Sequence, residues 1–468
     1  MDDQSDHRRD DDAPELAPER ALERGLKQAF GATLPEALGV ALSGGGDSVA
    51  LLVLLADWAA PRGVRLRAVT VDHGLRPGSA AEAEDCARLC ARLGVAHDLR
   101  RWQGWDGRGN LQDAARRARQ ALIADWAAEH GLGGVCLGHT RDDQAETVLM
   151  RLARGSGVDG LSGMAPERVA HGVSWLRPLL SVSRAALRAL LMARGIGWAE
   201  DPSNTDRRFA RVRARAALAE LGALGITARR LAETAARMAS ARSALSTCVV
   251  EAAGRLCRVE AGDVVIDAGG LAALPEETRE RLLAQALRWV GRRDYPPRRA
   301  ALRRAIGALQ GAGCTTLHGC VLSRHGDVLR LTREWQAVRA LRVAPGELWD
   351  GRWRLGPPDG ETAQEVAALG PQGLAQLAHR CADRLHGGPG DASGGDISAK
   401  KMGAARDFGR RGAGWRGSGL ARRTLLALPG LWCGERLLAV PLNGWPGFEC
   451  RVSESPCAAD FHASLLSH

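Results

Sequence analysis

Lysine is almost missing from this chain. Lys27, Lys400 and Lys401 are the only three among 64 basic residues, so the formal charge of +10 and the isoelectric point of about 9.4 rest on arginine. A balance of that sign leans toward a polyanionic partner, although abundant Arg, Ala and Gly also read as bulk composition. None of the eleven cysteines stands in a CxxC pair, and Cys86 and Cys90 are four apart with no second such pair elsewhere. A zinc ribbon, a cysteine-held iron–sulfur cluster and a secreted disulfide framework are therefore not expected, and the thiols read as buried and reduced. Long apolar runs are missing too: the stretch Val49–Leu55 falls far short of the roughly 20 residues of a membrane span. The first twenty residues are crowded with Asp, Arg, Pro and Glu and have no apolar h-region. They predict a solvated, disordered tail over 1–20 and a cytoplasmic protein without membrane contact.

At 468 residues, with 45% hydrophobic and 25% charged content, the chain reads as an ordinary globular protein of two to four domains. It is organised around Leu38-Gly39-Val40-Ala41-Leu42, which runs into Ser43-Gly44-Gly45-Gly46-Asp47-Ser48 and then into the apolar stretch from Val49. A strand, a glycine turn and a helix in that order bring backbone N–H groups and the positive end of a helix to one point, a cradle for phosphate. No lysine follows the glycines, so the loop is not a Walker loop. A glycine triplet alone is equally an ordinary strand–helix turn.

The surroundings decide between the two. Val64–Val71 alternates as a strand and ends in Asp72-His73-Gly74-Leu75-Arg76. Ser79-Ala80-Ala81-Glu82 is a capping box opening a helix to Leu93, and Val95–Trp102 is a weaker strand. Asn110 starts a long helix to His130-Gly131, Val135–Gly138 is a short buried strand, and His139–Asp143 opens the next helix. Strand and helix alternate four times, which predicts an α/β fold with a doubly wound parallel sheet. Three polar clusters, Ser43–Ser48, Asp72–Arg76 and His139–Glu146, then fall after successive strands, at the carboxyl edge where such sheets bind ligands.

These residues resemble the PP-loop superfamily of ATP pyrophosphatases, whose loop reads SGGxDS; Ser43–Ser48 is a complete match. Within it, Val71–Pro77, Gly138–Thr147, Arg154–Leu161, Leu176–Leu180 and Glu200–Asn204 look like the bacterial tRNA(Ile)-lysidine synthetases, densely from Leu38 to Arg215. Two positions depart from the pattern: Gln120 stands where a tyrosine is expected and Val212 where an asparagine usually sits. The resemblance implies an adenine nucleotide alpha hydrolase-like PP-loop domain over 21–215. A mainly helical, tRNA-binding middle domain would follow over 216–345, and a small α+β tRNA-binding domain over 346–385 and 420–468. Residues 386–419, rich in Gly, Ser, Asp and Arg, read as a disordered insertion.

The family's reaction joins L-lysine to the wobble cytosine of an isoleucine tRNA whose anticodon is CAU. ATP adenylates the 2-oxo group, and the lysine amine then displaces AMP. On that resemblance Ser43, Gly44, Gly45, Gly46, Asp47, Ser48, Asp72, His73 and His139 hold ATP, with Asp47 a ligand for Mg2+. Asp143, Asp142 and Glu146 meet the lysine amine and take its proton, with Asp143 first among them. Asp142 and Glu146, four apart, share one helix face, and Asp143 points about a quarter-turn away. Arg116 offsets developing negative charge, while Arg76, Asn110, Arg119, Arg154, Arg177, Arg211 and Arg213 contact substrate. A homodimer is left open. The nearest rival is a PP-loop enzyme that thiolates a pyrimidine at its 2-position, against which the missing CxxC counts.

Overall fold

The computed structural model describes residues 16–74, 79–102, 105, 111–200, 206–309, 313–357, 362–386, 420–442, 450–455 and 458–466. Arg76, Asn110, residues 201–204 of the Glu200–Asn204 motif, most of the expected tail and nearly all of the 386–419 insertion lie outside the described residues. The chain divides into two compact units, Met1–Ser243 and Ala244–His468. No described helix is long and apolar enough to cross a membrane.

In the first unit, α1 (Pro18–Phe30) precedes β1 (Ala37–Ala41), α2 (Gly46–Ala59), β2 (Arg65–Asp72), α3 (Ser79–Arg92), β3 (Ala96–Arg101), α4 (Leu111–Glu129), β4 (Val135–Cys136) and α5 (Arg141–Leu152). A short turn, α6 (Val158–Leu161), leads to β5 (Glu167–Ala170), β6 (Val173–Leu176), α7 (Arg184–Ala193) and α8 (Ala210–Leu221). The sheet order is β3-β2-β1-β4-β6-β5, parallel except for the β5–β6 hairpin. The chain winds outward from β1 through β2 to β3, then returns to place β4 on the other side of β1. The loop after β1 therefore sits at the topological switch point, where an open parallel sheet leaves a crevice.

What anchors that loop is α2. Every residue from Ser48 to Leu55 is buried, and a helix apolar on all sides belongs inside the protein. It lies between the sheet and helices α1 and α7. Burying Val49, Leu51, Leu52, Val53, Leu54 and Leu55 contributes on the order of 10 kcal/mol before chain entropy is counted. On the other side of the sheet Trp126 of α4 is fully buried, and its indole N–H donates to Asp98 at 2.9 Å, fastening α4 to β3.

Helix α9 (Ala228–Leu256) carries the chain across the division between the units. The second unit continues with β7 (Cys257–Glu260), β8 (Asp263–Asp267), α10 (Ala268–Ala273), α11 (Glu276–Gly291) and α12 (Arg299–Ala308). After them come β9 (Cys314–Leu317), β10 (Cys320–His325) and β11 (Val328–Arg333), giving an antiparallel sheet in the order β7-β8-β11-β10-β9. Strands β10 and β11 form a hairpin around His325-Gly326-Asp327. The stretch 316–322, which reads as one strand in the sequence, breaks at His318 and Gly319, both at positive φ (62° and 74°). A tight turn there makes β9 a third strand. Further along, two smaller antiparallel sheets enclose Trp349, Trp353, Leu431 and Leu437, and Phe461 of the helix Ala458–Leu466 packs on Trp289 at 5.4 Å between ring centroids. Asp263 is buried beneath them, its Oδ2 accepting from Arg330 (3.0 Å), Thr332 (2.9 Å) and Thr424 (2.5 Å).

Candidate active site

The loop's shape follows from its residues. Gly44 has φ +79°, which a side chain would strain, and the next two glycines lead into the first turn of α2. Ser48 closes the turn: its hydroxyl donates to the Gly45 carbonyl (2.9 Å), accepts from the Ser43 N–H (3.2 Å) and lies 3.1 Å from the Ser43 hydroxyl. From the far side the N–H of Ala199 donates to Gly44 O at 2.9 Å. A Cβ added at Gly45 would meet nothing nearer than the Ser43 hydroxyl at 3.8 Å, so the space beside Gly45 is open to phosphate oxygens, whereas Gly46 is backed by Trp198 at 3.3 Å. Gly138, after β4, is pressed against the helix start. A Cβ there would stand 2.9 Å from backbone atoms of Asp47 and Ser48.

That contact brings the start of α5 beside the loop. Thr140 caps α5, and both its N–H and its hydroxyl donate to Asp143 Oδ2 at 2.9 Å. Asp143 is thereby pinned with its Oδ1 toward Arg184 Nη2, 3.2 Å away. The same guanidinium reaches Asp47 Oδ2 through Nε at 3.1 Å and lies 3.6 Å from Glu146 Oε1 through Nη1. Glu146 Oε1 also accepts from Arg215 at 2.9 Å, while its Oε2 is buried with no partner. Asp142 instead accepts the backbone N–H of Arg184 at 2.7 Å. Asp143 and Glu146, three apart, share one guanidinium, and Asp142 turns to the backbone of α7. Burial pushes the Asp47 carboxyl above its usual range and Arg184 draws it only partly back, with Asp143 and Asp142 adding to the rise. For Arg184, burial acts to lower the pKa, but Asp143, Asp47 and Glu146 outweigh it and hold the guanidinium above its ordinary value.

The two histidines stand as neutral rings. His73 meets Trp102 edge-on at 6.1 Å; burial, then Arg119, lowers its pKa against Asp72. Burial brings His139 down to about 4 against the pull of Asp143, with Arg177, Arg211 and Arg119 adding to the fall. The Nδ1 of each ring is buried without a partner, as is Nε of Arg177. Asp72 is turned into its own loop, accepting from the Gly74 N–H at 2.9 Å. Arg177 donates to Ala165 O at 2.9 Å, and burial, Arg168 and Arg116 together bring it to about 10. Arg116, Arg119, Arg154 and Arg211 are exposed. Arg213 is also exposed but is tied to the carbonyls of Arg207 (3.0 Å) and Arg208 (2.8 Å).

The arrangement fits a nucleotide with its metal. Among the described residues no three His, Cys, Asp or Glu side chains gather to hold an ion by themselves. Mg2+ in nucleotide sites is commonly held by only one or two carboxylates together with phosphate oxygens; Asp47, whose Oδ2 pairs with Arg184, is the carboxylate on the loop that could serve. Sequence reasoning missed Arg184, and it read Arg215 as part of a basic run, 207–215, that meets phosphate and not as the partner of Glu146. The signal for Arg184 was available: Ser183 caps α7, its hydroxyl accepting from the Ala186 N–H at 3.1 Å. An arginine directly after an N-cap is misplaced against the helix dipole unless carboxylates await it.

A glycine loop at the switch point, facing carboxylates across a parallel sheet, defines a PP-loop nucleotide-binding domain, and the family model described as PP-loop domain matches residues 18–221. A tRNA(Ile)-lysidine synthase from Ruegeria pomeroyi is 46% identical over 447 residues, covering 94% of this chain and 96% of that protein. One from Methylobacterium nodulans is 43% identical over 306 residues, covering 63% and 89% respectively. The chain belongs to the tRNA(Ile)-lysidine synthase family. Among solved structures, the U34-tRNA thiolase NcsA from Methanococcus maripaludis is 15% identical with a TM-score of 0.41, covering 48% of this chain and 85% of that one, too remote to bear on function.

Proposed function

We propose that this chain ligates lysine to the 2-carbon of the wobble cytosine of tRNA(Ile) with a CAU anticodon, at the expense of ATP. The cytosine 2-oxygen attacks the α-phosphorus and pyrophosphate leaves. The lysine amine then adds at C2, the C–O bond to AMP breaks, and the amine gives up a proton. Full-length similarity to lysidine synthases carries this reading, and the meeting of loop and carboxylates around Arg184 supports it.

In this reading the loop 43–48 receives the β- and γ-phosphates through its backbone and the first turn of α2. Asp47 would hold a Mg2+ ion together with the nucleotide, and such an ion would supply positive charge to offset that on the leaving pyrophosphate. Asp143 and Glu146 receive the lysine ammonium, and the buried, unpartnered Oε2 of Glu146 is an acceptor in need of a donor. Asp143 takes the proton as the amine attacks. Neutral His139 and His73 offer hydrogen bonds to nucleotide or base without adding charge. Arg116 offsets the negative charge that develops in the reaction, Arg119, Arg154, Arg177 and Arg211 contact the anticodon loop, and the arginines of Ala244–His468 meet the rest of the tRNA.

The test uses the full chain with tRNA(Ile) bearing CAU, ATP, Mg2+ and labelled lysine. Lysine incorporation that depends on both tRNA and ATP is expected; pyrophosphate exchange with no lysine transfer would sink the reading. Asp143→Asn should abolish incorporation while the variant melts as wild type does, and near-normal turnover would remove Asp143 from the mechanism.

A further inference from the structure

Four carboxylates, Asp47, Asp142, Asp143 and Glu146, crowd the mouth of the proposed site, and two arginines answer them. Arg215 takes only Glu146. Arg184 is different, because each of its nitrogens is used on a separate carboxylate. Nε faces Asp47 at 3.1 Å, Nη2 faces Asp143 at 3.2 Å and Nη1 faces Glu146 at 3.6 Å, while its backbone N–H holds Asp142 at 2.7 Å. Its side chain is only 18% exposed, so water screens these pairs weakly. Asp47 stands on the pyrophosphate loop, whereas Asp143 and Glu146 stand on α5, about a hundred residues later in the chain. Arg184 thus pairs with carboxylates on both elements.

We propose that Arg184 is a positioning residue that couples the two half-sites: it fixes the loop carboxylate and the α5 carboxylates relative to each other, and so sets lysine affinity. The inference rests on the lysine-ligase reading above. Crowded carboxylates repel one another, and without a cation between them they would splay or take up protons. A planar guanidinium holds its donors in a rigid fork of fixed directions, whereas the three donors of an ammonium rotate on a flexible stem. Held at this spacing, Asp143 and Glu146 keep lone pairs for an incoming amine, Oε2 of Glu146 among them. The phosphate-side carboxylate stays in register with the carbon that the amine attacks. Arg184 touches no reacting atom in this scheme, and its effect passes through the groups it holds.

Steady-state kinetics on the full chain test this, with wild type, Arg184→Lys and Arg184→Gln assayed for KM of lysine, KM of ATP and kcat. Wild-type lysine incorporation is the control that the ligase reading itself must pass. Given that, Arg184→Gln should raise the KM for lysine at least tenfold and lower kcat. Arg184→Lys, keeping the charge but losing the three-way fork, should recover part of the lysine affinity and still stand several-fold above wild type. A merely structural arginine would instead reduce the active fraction, lowering kcat with both KM values unchanged. A lysine KM within twofold of wild type in Arg184→Gln overturns the proposal, as does an Arg184→Lys variant no better than Arg184→Gln. Should Arg184→Gln fail to fold, Arg184→Lys decides alone: a lysine KM equal to wild type refutes the coupling, and a several-fold rise supports it.

Discussion

Gly138→Ala probes how closely the pyrophosphate loop must sit to the carboxylate helix. A Cβ at Gly138 would stand 2.9 Å from the carbonyl carbon and oxygen of Asp47 and from Cα of Ser48. All three are backbone atoms of the first turn of α2, so no side chain can swing away to make room. Carbon atoms settle at roughly 3.5–4.0 Å, so β4 and α2 would have to part by about 0.6 Å or more. Forcing a methyl into packed surroundings costs about 1–3 kcal/mol. At roughly 2–4 °C per kcal/mol for a domain of this size, the melting temperature should fall by several degrees. The larger effect is expected on turnover. That gap sets where Asp47 lies relative to Asp143 and Glu146, and since a misplacement of about 1 Å can cost around 100-fold, a loss of about tenfold in kcat is expected. Thermal melts followed by circular dichroism and lysine incorporation into tRNA measure the two consequences. Gly254→Ala is the control, with nothing within 4 Å of the added methyl on an exposed turn of α9, and it should melt slightly higher than wild type. A Gly138→Ala protein that melts and turns over like wild type would refute the argument that this contact sets the site.

Thr140→Ala removes the cap of α5 and the hydroxyl that holds Asp143; it should cost about 1–2 kcal/mol in urea unfolding and lower kcat, whereas unchanged stability would mean the cap is idle. His139 has a folded pKa of about 4 against 6.5 for a free histidine, so the stability it contributes is complete above pH 6.5 and is lost as the pH falls toward 4. Imidazole nitrogen shifts should show a neutral ring from pH 8 to 5; protonation near pH 6 would contradict the burial that produces the shift. Asp263 goes the other way. Burial raises its carboxyl from 3.8 to about 6 against the pull of Thr424, Arg330 and Thr332, so its contribution is complete below pH 3.8 and is lost as the pH rises through 6. The melting temperature of wild type relative to Asp263→Asn should therefore decline between pH 4 and 7, and a constant difference would show that Asp263 does not titrate in that window.

The strands β1 to β4 and the helices between them were legible because each carries a local signal. Alternation marks Arg65–Asp72, a capping box opens α3, and Gly94 at φ +67° ends it. The loop was legible because glycine is needed where φ is positive, and the carboxyl edge because polar clusters follow successive strands. What escaped has no local signature. His318-Gly319 splits one apparent strand into two through a turn, although Thr316–Leu322 reads as continuous. The β5–β6 hairpin turns at His171-Gly172, again at positive φ (53° and 72°), in a stretch whose four-residue strands are too short for a clear period. Helical spacing puts Asp142 and Glu146 on one face of α5, but it carries no sign that the capping box fixes Asp143 toward Arg184 while Asp142 is drawn to the α7 backbone.

Arg184 shows the same limit more sharply. Its partner Asp47 is 137 residues away in the chain, so no window of sequence contains both. Viewed locally it is a poor choice, because a cation in the first turn of a helix opposes the dipole at a cost of about 0.3–1 kcal/mol. That conflict is itself informative. A local rule is broken where a wider arrangement needs it broken, and such breaches gather at functional sites. Three carboxylates within 3.6 Å of one guanidinium supply the compensation. They lie on the two elements that the proposed reaction must bring into register. Arginines also stand in the first turns of α5 (Arg141), α9 (Arg229 and Arg230) and α12 (Arg299), so the breach marks a set of candidates, and the three carboxylates around Arg184 pick it out from that set.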